Sequence, residues 1–143
     1  MPLTCLIAAH DPWFIQLLRA YTLETGFQIT QVFESQEVLP AVLQTHPAAI
    51  FLQSDLPGKF RCSEIVGLVK ATPEVSKSVI VVFYTQLGLV ESELAGCDAI
   101  HLREPVTFIE FQEVLVNAGV IHLPSSQVSS GNAGLAANKK KNI

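Results

Sequence analysis

Polar residues directly follow the most apolar short segments of the chain, and these are the residues that could carry chemistry. Residues 48–52 read Ala-Ala-Ile-Phe-Leu, and Gln53, Ser54 and Asp55 follow them before a Pro-Gly turn. Such an apolar run is typical of a strand buried on both faces of a parallel sheet. Ligands and reacting groups in open α/β sheets collect just beyond the carboxyl ends of such strands. We therefore expect any polar site to be centred on Gln53, an amide where chemistry would favour a carboxylate.

Composition indicates one folded domain and excludes several functional classes. The 143 residues are 49% hydrophobic and 15% charged, which is enough apolar material for a proper core. The longest apolar run, Val79–Tyr84, is far shorter than the roughly 18–20 residues of a membrane span. The start of the chain lacks the basic segment of a signal peptide. A net charge of −4 gives no support to nucleic-acid binding, so we expect a cytoplasmic protein without membrane or nucleic-acid contacts.

The three cysteines predict no disulfide, zinc site or catalytic thiol. Cys5, Cys62 and Cys97 are an odd number and lie far apart in the sequence. Disulfide frameworks and zinc sites need paired or closely spaced cysteines. We expect reduced, mostly buried thiols, as in cytosolic proteins.

Hydrophobic periodicity predicts alternating strands and helices. Short apolar or alternating runs predict five strands: Leu3–Ala9, Phe27–Phe33, Ala48–Leu52, Val79–Tyr84 and Ala99–Leu102. A helix should begin at the Asp11 cap and Pro12 and bury one stripe: Phe14, Leu17, Leu18 and Tyr21. Ser35 is expected to cap a second helix with another stripe: Val38, Leu39, Val42 and Leu43.

Three further helices complete the predicted alternation. The first covers Ser63–Ala71, with Ile65, Leu68 and Val69 facing inward, and a short one covers Leu87–Ala95. The last covers Thr107–Ala118, where Thr107 and Glu110 match a capping box. Its expected buried residues follow helical spacing: Phe108, Phe111, Leu115 and Ala118.

This alternation fixes the fold class as α/β. Right-handed crossovers place helices on both faces of a five-stranded parallel sheet. From Pro124 the composition changes to Ser, Gly, Asn and Ala and ends in three lysines, which is typical of a tail or linker. We predict one domain over residues 1–122 and a flexible segment over residues 123–143.

Several short segments spread along the chain form a recognisable series: Leu6–Pro12, Leu56-Pro57-Gly58, Ala71–Glu74 before Val79–Phe83, Ala95–Asp98, and Glu104-Pro105. By their order and spacing, the sequence from residue 3 to about residue 118 resembles the receiver domain of two-component (phosphorelay) response regulators. In that family Lys-Pro is expected where Glu104-Pro105 stands. The resemblance implies a flavodoxin-like, CheY-like fold with strand order 2-1-3-4-5.

The resemblance also implies a chemistry, phosphorylation of an aspartate, and the positions that would perform it have changed. In the family an acidic pair and the acceptor aspartate hold Mg²⁺, while a hydroxyl and a lysine contact the phosphoryl group. Ala9 and His10 stand for the acidic pair, Gln53 for the acceptor, and Glu104 for the lysine. Tyr84 or Thr85 stands at the hydroxyl position. Asp11, one residue after the pair, is interpreted as a helix cap. We therefore expect a degenerate pocket without catalytic residues or metal ligands, and lost or weak Mg²⁺ binding.

Three alternatives stay open at this point. Asp55 could be a non-standard phosphoacceptor, although a turn residue that caps backbone groups is the favoured interpretation. His10, Asp11 and Asp55 could form a transition-metal site, although a polar rim is favoured. A small flavodoxin-like ligand binder is the remaining alternative, and residues 8–13 lack its phosphate-binding loop.

The expected function is a receiver-like signalling module, not an enzyme, that acts through protein–protein interaction. The resemblance implies a protein partner in a signalling pathway, or a homodimer through the fourth helix, fifth strand and fifth helix. Residues 86–94 are about one turn shorter than the family's fourth helix, so that face would be reshaped. Trp13 lies off the apolar stripe of the first helix and is a candidate partner contact.

Overall fold

The five predicted strands form one parallel sheet in the order β2-β1-β3-β4-β5. The computed structural model describes residues 3–84 and 99–122. The strands are β1 (Leu3–Ala8), β2 (Phe27–Val32), β3 (Ala49–Gln53), β4 (Val79–Tyr84) and β5 (Ile100–Arg103). Each is found within one residue of its predicted bounds, so the α/β class and strand order are confirmed.

Four α-helices connect or follow the strands in the described residues. They are α1 (Pro12–Glu24), α2 (Val38–Thr45), α3 (Cys62–Lys70) and α4 (Phe108–Asn117), and a 3₁₀ turn, Ser35–Glu37, precedes α2. Several predicted features lie outside the described residues: the helix over Leu87–Ala95, the residues Thr85 and Cys97, and the tail. None of the described helices is long and apolar enough to cross a membrane.

The chain divides into two compact units, Met1–Phe111 and Gln112–Ile143. The first unit contains the whole sheet and every candidate site residue. In the second, the structure describes the end of α4 and the residues up to 122, where Gly119 has a φ of +81°. The predicted domain boundary after residue 122 stays a prediction.

The sheet core follows from alternation along the two central strands. All five residues of β3 are buried. Ile50 and Leu52 belong to the cluster that includes apolar residues of α2 and α3. Phe51 points to the opposite face, where its ring centroid lies 6.1 Å from that of Phe83 and 5.2 Å from that of Phe111. Both faces are therefore covered, as the apolar runs predicted.

Two helices begin at their predicted capping signals. Asp11 caps α1, because its Oδ1 accepts a hydrogen bond from the backbone N–H of Trp13 at 3.0 Å. Thr107 and Glu110 form the predicted capping box, with bonds of 2.9 and 3.1 Å between backbone N–H groups and side-chain oxygens.

The prediction that Ser35 caps the second helix is wrong. Ser35 begins the 3₁₀ turn, is buried, and its Oγ accepts a hydrogen bond from the backbone N–H of Phe60 at 2.8 Å. The side chain serves a distant loop, so it does not cap the turn that follows it.

Some apolar residues assigned from sequence to a strand or to a buried helix stripe are exposed. Phe33 lies beyond the end of β2, and Leu43 and Leu68 lie at the outer edges of their helix stripes. Val66 is buried in α3 instead of Leu68. The buried face of each of these short helices is thus narrower than the apolar stripe in its sequence, or rotated relative to it.

Cys5 and Cys62 are buried, as predicted. Burial raises the pKa of the Cys5 thiol from 9.0 to about 12. Because the thiolate is the reactive form, Cys5 is an inert core residue.

Candidate functional site

The carboxyl ends of the central strands bring the predicted site residues to one edge of the sheet. Ala8 pairs with Leu52, Gln53 with Phe83, and Tyr84 with Arg103. Backbone hydrogen bonds extend this alignment past the strand ends, from Ser54 N–H to the Phe83 carbonyl at 2.8 Å and from Glu104 N–H to the Tyr84 carbonyl at 2.7 Å. The loops that carry His10, Asp55 and Glu104 consequently start from the same edge.

Gln53 is the centre of this edge, and its carbonyl oxygen is fully engaged. The side chain is only 2% exposed. Its Oε1 accepts hydrogen bonds from the backbone N–H groups of His10 at 3.0 Å and Asp11 at 3.3 Å. Because both partners are donors, the oxygen must face the β1–α1 loop and the amide nitrogen must face away from it. Gln53 therefore joins β3 to the loop after β1.

The Glu104 carboxyl group lies close enough to Gln53 for the two side chains to interact. Burial raises the pKa of its carboxyl group, and the charges of Asp55 and Asp11 raise it further. The hydrogen-bonding interaction with the Gln53 side chain and the charge of His10 oppose this increase. The Glu104 Oε2 atom is buried and has no hydrogen-bond partner among residues 3–84 and 99–122. The peptide bond between Glu104 and Pro105 is cis.

His10 and Asp55 form a contact at the outer rim of the site. His10 Nε2 lies 3.2 Å from Asp55 Oδ1, and the two side chains are 40% and 63% exposed. Exposed pairs of this kind contribute at most about 1 kcal/mol to stability. From the sequence, Asp55 was predicted to cap backbone groups in the turn. In the structure its carboxylate contacts His10.

The remaining predicted positions supply little chemistry. Ala9 is fully buried, and its backbone N–H donates to the Val32 carbonyl at 3.2 Å. The Asp11 carboxylate caps α1. Tyr84 is the last residue of β4 and is half-buried, while Thr85 lies outside the described residues. The choice between Tyr84 and Thr85 for the hydroxyl position therefore stays open.

The loop between β3 and α3 is attached to the 3₁₀ turn before α2. Ser35 N–H donates to the Pro57 carbonyl at 2.8 Å, and Phe60 N–H donates to Ser35 Oγ. Lys59 N–H donates to Gln36 Oε1 at 3.1 Å. Sequence reasoning missed this attachment, for which Gly58 in the Pro-Gly turn was the only signal.

Two concave regions flank this loop. A polar cleft of about 490 Å³ is lined by residues 54–62 and by Glu64. An apolar pocket of about 300 Å³ lies between α2 and α3 and includes Leu39, Phe60 and Leu68. Within residues 3–84 and 99–122, no three His, Cys, Asp or Glu side chains converge as a metal site would require.

Comparison with known proteins identifies the fold. No family model matches the chain, and no curated protein matches it. Solved receiver domains match its structure. The receiver domain of a Pseudomonas aeruginosa sensor histidine kinase, determined with magnesium in its active-site cleft, has a TM-score of 0.75 and 16% identity, covering 83% of this chain and 99% of that one.

Two other solved structures give the same result. The receiver domain of a Syntrophus aciditrophicus signal transduction histidine kinase has a TM-score of 0.74 and 17% identity, covering 85% of this chain and 95% of that one. The chemotaxis response regulator CheY4 of Vibrio cholerae has a TM-score of 0.72 and 14% identity, covering 82% and 99%. At these identities the comparison shows the shared receiver fold, and any function has to be argued from the site itself.

Proposed function

We propose that this protein is a receiver-like signalling module that works without aspartyl phosphorylation and acts by binding another protein. The receiver fold supports the signalling role. The observation that carries the rest of the proposal is the engagement of the Gln53 side-chain oxygen, which accepts hydrogen bonds from two backbone N–H groups. Gln53 occupies the end of β3, where the sequence resemblance places the acceptor aspartate.

Gln53 lacks the nucleophile that phosphoryl transfer requires. Phosphoryl transfer to a carboxylate needs a free anionic oxygen, and the uncharged amide oxygen of Gln53 is a much weaker nucleophile. That oxygen also accepts two backbone N–H groups, which stabilise its present position. Gln53 therefore serves as a structural bridge between β3 and the β1–α1 loop.

The side chains around Gln53 are poor ligands for magnesium. Mg²⁺ requires oxygen ligands in a nearly octahedral arrangement. Ala9 offers no side-chain ligand atom, and a histidine such as His10 is a poor ligand for so hard a cation. The Asp11 carboxylate caps a helix, and that of Asp55 contacts His10. This donor set does not fit a magnesium site, so we propose that Mg²⁺ binding is lost or weak.

The pocket carries acidic groups where phosphoryl transfer needs a positive charge. A cation beside the pocket would stabilise the negative charge of a transferring phosphoryl group. Glu104 places a carboxyl group there, with Asp11 and Asp55 close enough to influence its pKa. An approaching phosphate would meet acidic groups where it needs a cation.

A phosphotransfer assay tests this proposal. We expect that incubation with acetyl phosphate and Mg²⁺ leaves the intact mass unchanged, because Gln53 has no carboxylate to accept the phosphoryl group and the surrounding side chains do not fit Mg²⁺. Vibrio cholerae CheY4, a chemotaxis response regulator of the same fold, serves as the positive control. A phosphoryl adduct on the wild-type protein would overturn the proposal.

The variant Asp55→Asn separates the main alternative. Asp55 is 63% exposed at the rim of the site, so its carboxylate is accessible to reagents. An adduct that disappears in this variant would identify Asp55 as a non-standard acceptor. An adduct that persists would identify another site.

The partner surface is also a proposal. Trp13 is 80% exposed at the start of α1, and exposed tryptophans are common anchors of protein interfaces. Homodimerisation through the fourth helix, fifth strand and fifth helix remains the alternative implied by the resemblance. A cytoplasmic location, and the lack of a role in nucleic-acid binding, remain predictions from composition.

A further inference from the structure

The apolar pocket between α2 and α3 has the size and lining of a small-molecule site. Its volume is about 300 Å³, at the lower end of the range for ligand pockets in proteins. Five apolar residues from the two helices and the β3–α3 loop line it: Leu39, Pro40, Phe60, Ile65 and Leu68. Ile65 is buried, whereas Leu68 is 37% exposed, so Leu68 lies where the pocket meets solvent. The pocket therefore offers apolar surface to a ligand that enters from water.

The two polar residues of the lining, Ser35 and Gln36, already use their side chains within the protein. Ser35 Oγ accepts the Phe60 N–H at 2.8 Å. Gln36 Oε1 accepts the Lys59 N–H at 3.1 Å, and Gln36 Nε2 donates to Glu34 Oε1 at 2.6 Å. A charged ligand would lose its hydration on entry, and the residues that line the pocket carry no charge to replace it. An uncharged, apolar ligand has no such requirement.

Hydrogen bonds fix the loop that forms one side of the pocket. Phe60 belongs to this loop and is bonded to Ser35, which also donates its backbone N–H to the Pro57 carbonyl at 2.8 Å. Ser35 is only 1% exposed, so water could not readily replace these partners if the loop moved into the pocket. The pocket is therefore formed before any ligand arrives, as most ligand sites are.

We propose that this pocket is a binding site for a small, uncharged, apolar molecule, of the size of one aromatic ring with a short substituent. An engineered apolar cavity of about 150 Å³ holds benzene, so a pocket of about 300 Å³ has room for such a ligand. Binding removes from water the apolar surface of the ligand and of side chains such as Leu39 and Leu68, which favours the complex.

A peptide segment fits this pocket less well than an apolar molecule does. A peptide would also bury main-chain N–H and C=O groups, which need hydrogen-bond partners away from water. The side chains of Ser35 and Gln36 are already engaged with the protein. The chemistry of the lining therefore favours a ligand without hydrogen-bonding groups.

Ligand binding would reach the candidate site through Phe60. This residue lines the pocket and lies in the loop that also carries Asp55. A ligand packed against the Phe60 ring should limit the motion of the loop, so the Lys59 and Phe60 amides should exchange with solvent more slowly. The site would give a module without phosphorylation an input, although its existence does not depend on the proposed function.

Titration of the ¹⁵N-labelled 143-residue chain with toluene, up to the solubility limit of toluene, tests the proposal. We expect saturable shifts of the backbone amides of Ser35, Leu39, Phe60 and Leu68. Benzoate has the same ring with a carboxylate in place of the methyl group. Its binding should be weaker by about tenfold or more, because the pocket cannot compensate for the lost hydration of the charge.

Two matched variants locate the site. Leu68→Trp places a larger side chain in the pocket and should weaken toluene binding by about tenfold or more. Leu43→Trp is the control, because Leu43 is 38% exposed on α2 and does not line the pocket. It should leave toluene binding unchanged. Both leucines are partly exposed, so both variants should fold, which their amide spectra verify.

Shifts that stay linear up to the solubility limit, or that map to other residues, would overturn the proposal. So would equal binding of benzoate, or equal effects of the two tryptophan variants. The proposed function fails in a different assay. A phosphoryl adduct rejects the proposed function whatever toluene does, and a lack of toluene binding without an adduct rejects only the ligand site.

Discussion

Gln53 is 2% exposed at the carboxyl edge of the sheet, where a charged side chain would need a compensating cation or metal. Its neutral amide avoids that requirement, and its oxygen is satisfied by two backbone N–H donors. Gln53 therefore makes a stable buried contact without a charge at the end of β3.

Removal of the Gln53 amide should destabilise the protein. In Gln53→Leu the backbone N–H groups of His10 and Asp11 lose their shared acceptor, which typically costs about 1–3 kcal/mol. Gln28→Leu, at an exposed position of β2, should change stability by only about 0.5 kcal/mol. Chemical denaturation measures both variants, and equal effects would show that Gln53 is not a structural bridge.

Glu104→Gln should stabilise the protein near neutral pH and have little effect at acid pH. The folded protein raises the pKa of Glu104 above its unfolded value of 4.5, so the folded state favours the proton. Stability therefore falls as the pH rises from 4.5 towards the folded-state pKa and then levels off. Thermal unfolding of both proteins across this range checks the sign, and a variant that is less stable near neutral pH would contradict it.

The location of the site residues at one edge of the sheet could be predicted from the sequence. Their hydrogen-bond partners could not. The order of strands placed Ala9, His10, Gln53 and Glu104 at one edge, and the structure brings them there. The bonds of Gln53 go to backbone groups 42 and 43 residues earlier in the chain. Any residue type at positions 10 and 11 other than proline carries those N–H groups, so no pattern of side chains could reveal them.

At the scale of elements, the attachment of the β3–α3 loop to the turn before α2 depends on Gly58. Its φ of +129° is rarely adopted by residues with a Cβ atom. A Cβ at this position would also collide with the side chains of Gln36 and Ser35, and would lie 2.7 Å from the Ser35 backbone nitrogen. Since these groups form the attachment, the loop cannot relax without losing hydrogen bonds.

Gly58→Ala should therefore destabilise the protein by about 1–3 kcal/mol, as overpacked and strained sites do. Gly67→Ala is the matched control: it lies in α3 with open space around it and should stabilise the protein by about 0.5–1 kcal/mol. Chemical denaturation of the two variants gives the comparison. Similar changes in both would show that the loop attachment contributes little.

The same attachment explains where helix prediction failed. A serine before an apolar helical stripe is a standard capping signal, and Ser35 matched it. Its hydroxyl is instead used by Phe60, 25 residues later. A tertiary hydrogen bond thus overrides the local signal at Ser35, whereas the Asp11 carboxylate accepts the Trp13 N–H and caps its helix as expected.

At the scale of the whole molecule, the fold was predictable because alternation and apolar runs are set by burial on both faces of the sheet. β4 was predicted at its observed bounds, because six consecutive apolar or aromatic residues fit only a central strand. The outer surface was harder to predict, since exposure of Phe33, Leu43 and Leu68 depends on how each short helix or strand end is rotated.

Trp13 gives a probe of that surface. It is the only tryptophan in the chain and is 80% exposed. We expect its fluorescence in the folded protein to be quenched by acrylamide almost as efficiently as in the unfolded protein. Addition of a partner that covers α1 should reduce this quenching. If quenching is already weak in the folded protein without a partner, Trp13 is not available for binding.

The proposed function requires that this receiver fold lacks a working phosphorylation pocket. Titration of the ¹⁵N-labelled protein with Mg²⁺ and beryllofluoride, a mimic of the phosphoryl group, tests this claim most directly. We expect the backbone amides of His10, Gln53, Ser54 and Glu104 to show no saturable, Mg²⁺-dependent shift. A saturable shift of these amides, dependent on both reagents, would contradict the claim.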